Sequence, residues 1–102
     1  MLIDMTPTEN RQVIYCSQHD TALRKWSFQL VHNDQLVSLD KTYSLVFPDG
    51  EFSLTVNDDV LECDCTEELS AKSGFIPCKI KVEDGDEVLY SSLIFLNCEV
   101  QP

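Results

Sequence analysis

Apolar residues recur at every second position in one segment after another, and that period admits little besides β-strand. Lys25 to His32 sets it out: Trp26, Phe28 and Leu30 share one phase, while Lys25, Ser27 and Gln29 share the other. Successive side chains on a strand point to opposite faces, so this segment predicts a strand with one buried face. The same period runs through Tyr43, Leu45 and Phe47, then through Phe52, Leu54 and Val56. It continues in Leu61, Cys63 and Cys65, and again in Ile76, Cys78, Ile80 and Val82. Val88 to Val100 carries it to the end as the longest predicted strand. Arg11 to Ser17 is rich in β-formers and predicts a first strand, and Gln35 to Leu39 a short one.

Between these segments stand residues that reverse a chain. His32-Asn33-Asp34-Gln35, Pro48-Asp49-Gly50, Asn57-Asp58-Asp59 and Glu83-Asp84-Gly85-Asp86 combine proline, which presets φ, with residues that accept φ > 0. Seven to eight strands spaced about 8–12 residues apart predict an all-β, antiparallel β-sandwich. Thr66 to Lys72 is the one helical candidate, a short helical turn with Thr66 as N-cap, Glu67 and Glu68 in its first turn, and Gly74 just past its end. A chain of 102 residues forms one domain and can bury a core without metals or disulfides. Pro7 and its polar neighbours predict an extended N-terminal arm over 1–10, ahead of a sandwich over 11–102.

The net charge of −11 repels phosphate backbones and anionic lipid, so neither nucleic acid nor membrane is the expected partner. No apolar run approaches the roughly 20 residues of a membrane span. Met1 to Met5 lacks a basic region and a long apolar stretch, so no signal peptide is expected. Five cysteines, an odd number, then predict reduced thiols in a protein assembled in a cytoplasm.

The residues that carry chemistry elsewhere have structural explanations here. Cys63-x-Cys65 sits inside an alternating strand, whereas structural zinc sites favour knuckles in turns. Cys78 and Cys98 occupy the apolar phase of their strands, so all of these thiols are expected as core packing. His19 and His32 lie in or beside turns, and Cys16 with His19 has no nucleophile signature. Ser91-Ser92 lacks a nucleophile elbow, the acidic pairs belong to turns, and three isolated glycines make no phosphate loop. No catalytic residue, metal or cofactor is expected, and the protein is not expected to be an enzyme. Trp26, Phe28, Phe47 and Phe52 fit the core phase. Tyr15, Phe75 and Tyr90 are the aromatics that could lie on a partner surface.

The order of motifs carries further information. Val13-Ile14-Tyr15-Cys16-Ser17-Gln18-His19-Asp20 is followed by Trp26-Ser27-Phe28-Gln29-Leu30, then Phe47-Pro48-Asp49-Gly50, then Thr66 to Ala71 ahead of Gly74, and finally Ile94-Phe95-Leu96. This series resembles the N-terminal immunoglobulin-like domain of phage baseplate upper proteins, also found in phage tail-fibre and head-fibre proteins. The resemblance spans about residues 3–100. Family members usually carry a fibre or receptor-binding region after this domain, whereas this chain stops at Pro102. The cysteine content is also higher than the family pattern suggests.

The resemblance implies an immunoglobulin-like fold and a virion structural protein assembled in the host cytoplasm, an adaptor or decoration domain in a baseplate, tail fibre or head fibre. Its partners would be other phage structural proteins and copies of itself, a trimer as in fibres. Ser17, Gln18 and Asp20 would form a structural corner, with side chains bonding nearby backbone. Asp4, Met5, Thr6, Pro7, Thr8 and Gln12 are the expected partner-binding residues, in an arm that adds a strand to a neighbour's sheet. The alternative is a carbohydrate- or host-surface-binding module of the same particle, using Tyr43, Phe75 and Tyr90.

Overall fold

The fold is described from a computed structural model covering residues 2–5, 12–21, 23–71 and 74–99. Its strands are β1 Leu2–Asp4, β2 Gln12–Ser17, β3 Lys25–His32, β4 Gln35–Leu36, β5 Thr42–Phe47, β6 Gly50–Ser53, β7 Thr55–Asn57, β8 Val60–Asp64, β9 Gly74–Asp84, β10 Glu87–Tyr90 and β11 Ile94–Glu99. The helix α1 is Glu67–Ser70, and the Thr66 Oγ1 accepts the Leu69 N–H at 3.3 Å as its N-cap. One sheet runs β1-β3-β8-β7 with β4 on β3, and the other β2-β11-β9-β5-β6 with β10 on β9. The two sheets face each other as an immunoglobulin-like sandwich.

The alternation in the sequence fills the space between the sheets. Ile14, Phe28, Leu30, Leu45, Leu61, Ile80, Ile94 and Leu96 are all buried in one core cluster. The expected turns are tight. Asn33 and Asp34 link β3 to β4 with φ of 52° and 64°, the paired positive values of a type I′ turn. Gly85 takes φ 62° where β9 reverses into β10.

Three departures raise the strand number above the seven or eight expected. First, the opening residues are no free arm. β1 pairs in parallel with β3, Ile3 opposite Leu30, and the Met5 N–H donates to the Val31 carbonyl at 2.7 Å. Ile3 and Met5 are two residues apart and both apolar, so they enter the core as strand residues do. Residues 6–11, the rest of the expected arm, lie outside the described residues.

Second, Phe52, Leu54 and Val56 do not share one strand. The chain leaves one sheet at Leu54, whose N–H donates to the Tyr43 carbonyl at 3.0 Å, and enters the other as β7. Val56 is therefore exposed.

Third, the long last strand breaks at residues 91–93. The Ser91 N–H donates to the Ile80 carbonyl, while the Ser91 Oγ accepts the Ile80 N–H, both at 2.9 Å. A side-chain hydroxyl thus takes the place of a ladder carbonyl, and the bulge changes the phase. Ser91 turns inward and is buried, and Val88 and Tyr90 are left exposed.

Replacing Ser91 by Ala leaves the buried Ile80 N–H without its acceptor, at an expected cost of about 1–3 kcal/mol. Ile80→Ala empties a fully buried site and should cost about 2–5 kcal/mol. Urea denaturation of both variants checks this, and a Ser91→Ala loss below about 0.5 kcal/mol would remove the hydroxyl from the ladder.

Candidate protein-docking face

The expected arm residues divide. Asp4 lies in β1, and its N–H donates to the Gln12 Oε1 at 3.0 Å, tying the first strand of one sheet to the first of the other. Gln12 is half-buried, and its Nε2 is buried with no hydrogen-bond partner among the described residues. Met5 is a core residue, so it cannot serve as a docking contact as expected, because its side chain fills the interior beside Leu30 and Tyr43. Thr6, Pro7 and Thr8 lie outside the described residues.

Ser17, Gln18 and Asp20 form a corner held by local bonds. The Ser17 N–H donates to the Asp20 Oδ2 at 2.8 Å, and the Asp20 N–H returns to the Ser17 carbonyl at 3.0 Å. The Gln18 N–H donates to the Glu99 carbonyl at 2.7 Å, and the Ser70 Oγ to the Asp20 carbonyl at 2.7 Å. Arg24 caps the Asp20 carboxylate through its Nε. The Ser17 amide, then Arg24, hold the Asp20 carboxyl below its usual range. Beside this corner opens a recess of about 490 Å³ lined mostly by polar side chains, with Leu23 almost wholly exposed at its rim.

The five cysteines are free and buried. Cys16 and Cys98 stand opposite each other on the parallel strands β2 and β11, and Cys65 approaches Cys16 from the other sheet. The Cys98 Sγ donates to the Ser70 carbonyl at 3.1 Å. Burial raises the thiols: Cys63 to about 11 and Cys78 to about 12, with Cys16 pushed up by burial and then by Cys98 and Cys65. Such thiols stay protonated at neutral pH and make poor nucleophiles. Among the described residues, no group of three or more His, Cys, Asp or Glu is placed to hold a metal ion.

The feature that remains is the outer face of the β2-β11-β9-β5-β6 sheet. Residues that alternate with the buried ones point outward, and the register sets them in rows. Tyr15, Asn97 and Phe75 form one row, and Val13, Phe95 and Pro77 the next. Lys79 and Val46 continue the face on β9 and β5, beside Leu93. Tyr15 is 58% exposed and Phe75 63%, and the Phe75 and Phe95 rings meet edge to face at 6.3 Å between centroids. A groove of about 290 Å³ prolongs the face between Val46, Pro48, Pro77, Lys79, Tyr90 and Leu93. Beyond it the surface turns ionic: Lys81 bridges Glu51 at 3.3 Å and Glu83 at 3.0 Å.

Tyr15, Phe75 and Leu93 are exposed, and Val13, Phe95, Pro77 and Val46 half-buried between them; apolar residues gathered in contiguous outward rows mark interaction surfaces, where scattered single ones would not. Sequence reasoning had marked Tyr15, Phe75 and Tyr90 for a partner surface, and all three are exposed. It had missed Val13, Phe95, Pro77, Leu93 and Val46. The signal was present: β9 and β11 carry apolar residues in both phases, which a strand with one wetted face does not need. Tyr43 does not belong to any exposed aromatic set. It lies on the inward phase of β5 opposite Val82, is buried, and donates its hydroxyl to the Ser38 carbonyl at 3.4 Å.

The raised thiols generate a pH dependence of definite sign. Above the ordinary thiol value of 9.0 the unfolded chain releases protons that the folded chain retains. Their contribution is therefore full below about pH 9 and lost as pH rises toward about 12. Urea melts at rising alkaline pH should show a shallower loss for Cys78→Ala than for the parent chain, and equal slopes would refute it. In comparisons with known proteins, the chain matches no family model and no curated protein.

Proposed function

We propose that this chain is a phage virion structural protein, an adaptor or decoration domain that acts by protein–protein contact through the outer face of its five-strand path. The observation that carries this reading is the continuous aromatic and aliphatic surface around Tyr15, Phe75 and Phe95. Leaving such rings in water forgoes burial worth about 25 cal/mol per Å² of apolar surface, a cost that a docked partner removes. The chain's net charge of −11 opposes indiscriminate association through the rest of its surface.

The phage setting rests on the ordered motifs, and each of these occupies a framework position. Val13 to Asp20 forms β2 and its corner, Trp26 to Leu30 lies in β3, Pro48-Asp49 turns β5 into β6, Thr66 to Ala71 encloses α1, and Ile94 to Leu96 opens β11. The expected partners are other structural proteins of the particle and further copies of this chain, and the expected location is the virion.

Particles purified from the phage that encodes the chain should contain it at a fixed copy number, measured by quantitative mass spectrometry. Phe75→Asp, which alters an exposed ring and no core contact, should lower that number by about tenfold or more, as loss of an interface anchor does. Particles lacking the parent chain would end the virion reading, and unchanged incorporation of the variant would end the role of this face.

A further inference from the structure

The docking face is self-complementary, and its ends carry opposite charges. The register places Glu99 one row beyond Asn97 on β11, and Lys79 one row beyond Pro77 on β9. Along the strands the order is the Glu99 row, the Tyr15–Asn97–Phe75 row, the Val13–Phe95–Pro77 row and the Lys79 row. Unlike Lys81, which has two carboxylate partners, neither Lys79 nor Glu99 has an ion-pair partner among the described residues. Among the described residues these are the only charges in the four rows on β2, β11, β9 and β5. Among the described residues of these four strands, a chain of net charge −11 therefore holds an apolar surface with one unpaired charge of each sign at opposite ends, while Glu51, next in the Lys79 row on β6, is paired with Lys81.

We propose that two copies of the chain pack face to face through this surface, about a two-fold axis that lies across the strands between the two central rows. Such an axis reverses the row order. Each Tyr15–Asn97–Phe75 row then packs on the other copy's Val13–Phe95–Pro77 row, and each Glu99 row meets a Lys79 row. The isologous contact therefore makes two symmetric Lys79–Glu99 pairs, while the excess negative charge of both chains stays outside it. Four strands at about 4.8 Å and four rows at about 7 Å give a face about 20 Å on each side. That is a projected area of about 400 Å², about half of the roughly 800 Å² per partner of a standard interface, so the dimer belongs with the small, weak contacts that form at high concentration. Sheet faces pack at about 10 Å, a distance that aromatic side chains fill.

The inference rests on the reading of this face as a docking surface and adds the identity of its occupant. Sedimentation velocity of the full chain, over a concentration series reaching hundreds of micromolar, tests it. The parent chain should dimerise. Lys79→Glu and Glu99→Lys should each weaken the dimer about tenfold or more, since each replaces two attractive pairs by two repulsive ones. The double variant K79E/E99K should recover to within about threefold of the parent, because the exchanged charges still meet. Phe75→Asp should abolish the dimer with an unchanged circular dichroism spectrum. A monomer at every concentration, a trimer, or a dimer that the double variant does not restore would overturn the two-fold arrangement. A monomeric parent whose Phe75→Asp variant still fails to enter particles would overturn this inference alone and leave the docking role standing.

Discussion

Strand β11 is the piece on which the second sheet depends. It hydrogen-bonds to β2 in parallel on one side and to β9 antiparallel on the other. Because side chains alternate along it, this double register fixes two surfaces at once. Ile94, Leu96 and Cys98 close the core, while Phe95, Asn97 and Glu99 stand on the outer face. A slip by one residue would exchange the two sets, burying Glu99 and exposing Leu96. The core and the outer aromatic face are consequences of a single pairing.

The end of the sandwich near Asp20 is held differently. There polar groups make specific bonds at the edge of the apolar core. Ser70 is fully buried, and its hydroxyl reaches the Asp20 carbonyl, so α1 is pinned to the corner after β2. The Trp26 indole donates to the Tyr15 carbonyl at 2.9 Å and joins β3 of one sheet to β2 of the other. Buried donors and acceptors that find partners in this way cost little and make the arrangement unique. The cysteines fill the remaining space between the sheets as small, buried side chains.

Much of the framework was legible in the sequence because period two is a local property. Lys25–His32 has the same bounds in sequence and structure, and Thr66 caps the one helix. What the pattern could not convey was the partner of each strand. Nothing local shows that Leu54 lies at a change of sheet, or that the Ser91 hydroxyl takes over a backbone acceptor and resets the phase. Ile3 and Met5 were obscured by the turn-forming residues that follow them. The docking face was half legible. Single exposed aromatics could be picked from their phase, but their union into rows needs the β2–β11 register, which joins residues far apart in the chain.

The same pairing governs the order of assembly. Gln12 finds its partner in Ile94, and Ser17 in Glu99. Contacts of such sequence separation require closure of nearly the whole chain, and folds dominated by them form slowly. During synthesis β2 leaves the ribosome early and must wait for β11, its strand partner, with both edges open, through the period when an unpaired strand is most prone to pair wrongly. The sheet that displays the aromatic rows therefore closes last, so this outer surface exists only once translation has passed residue 99.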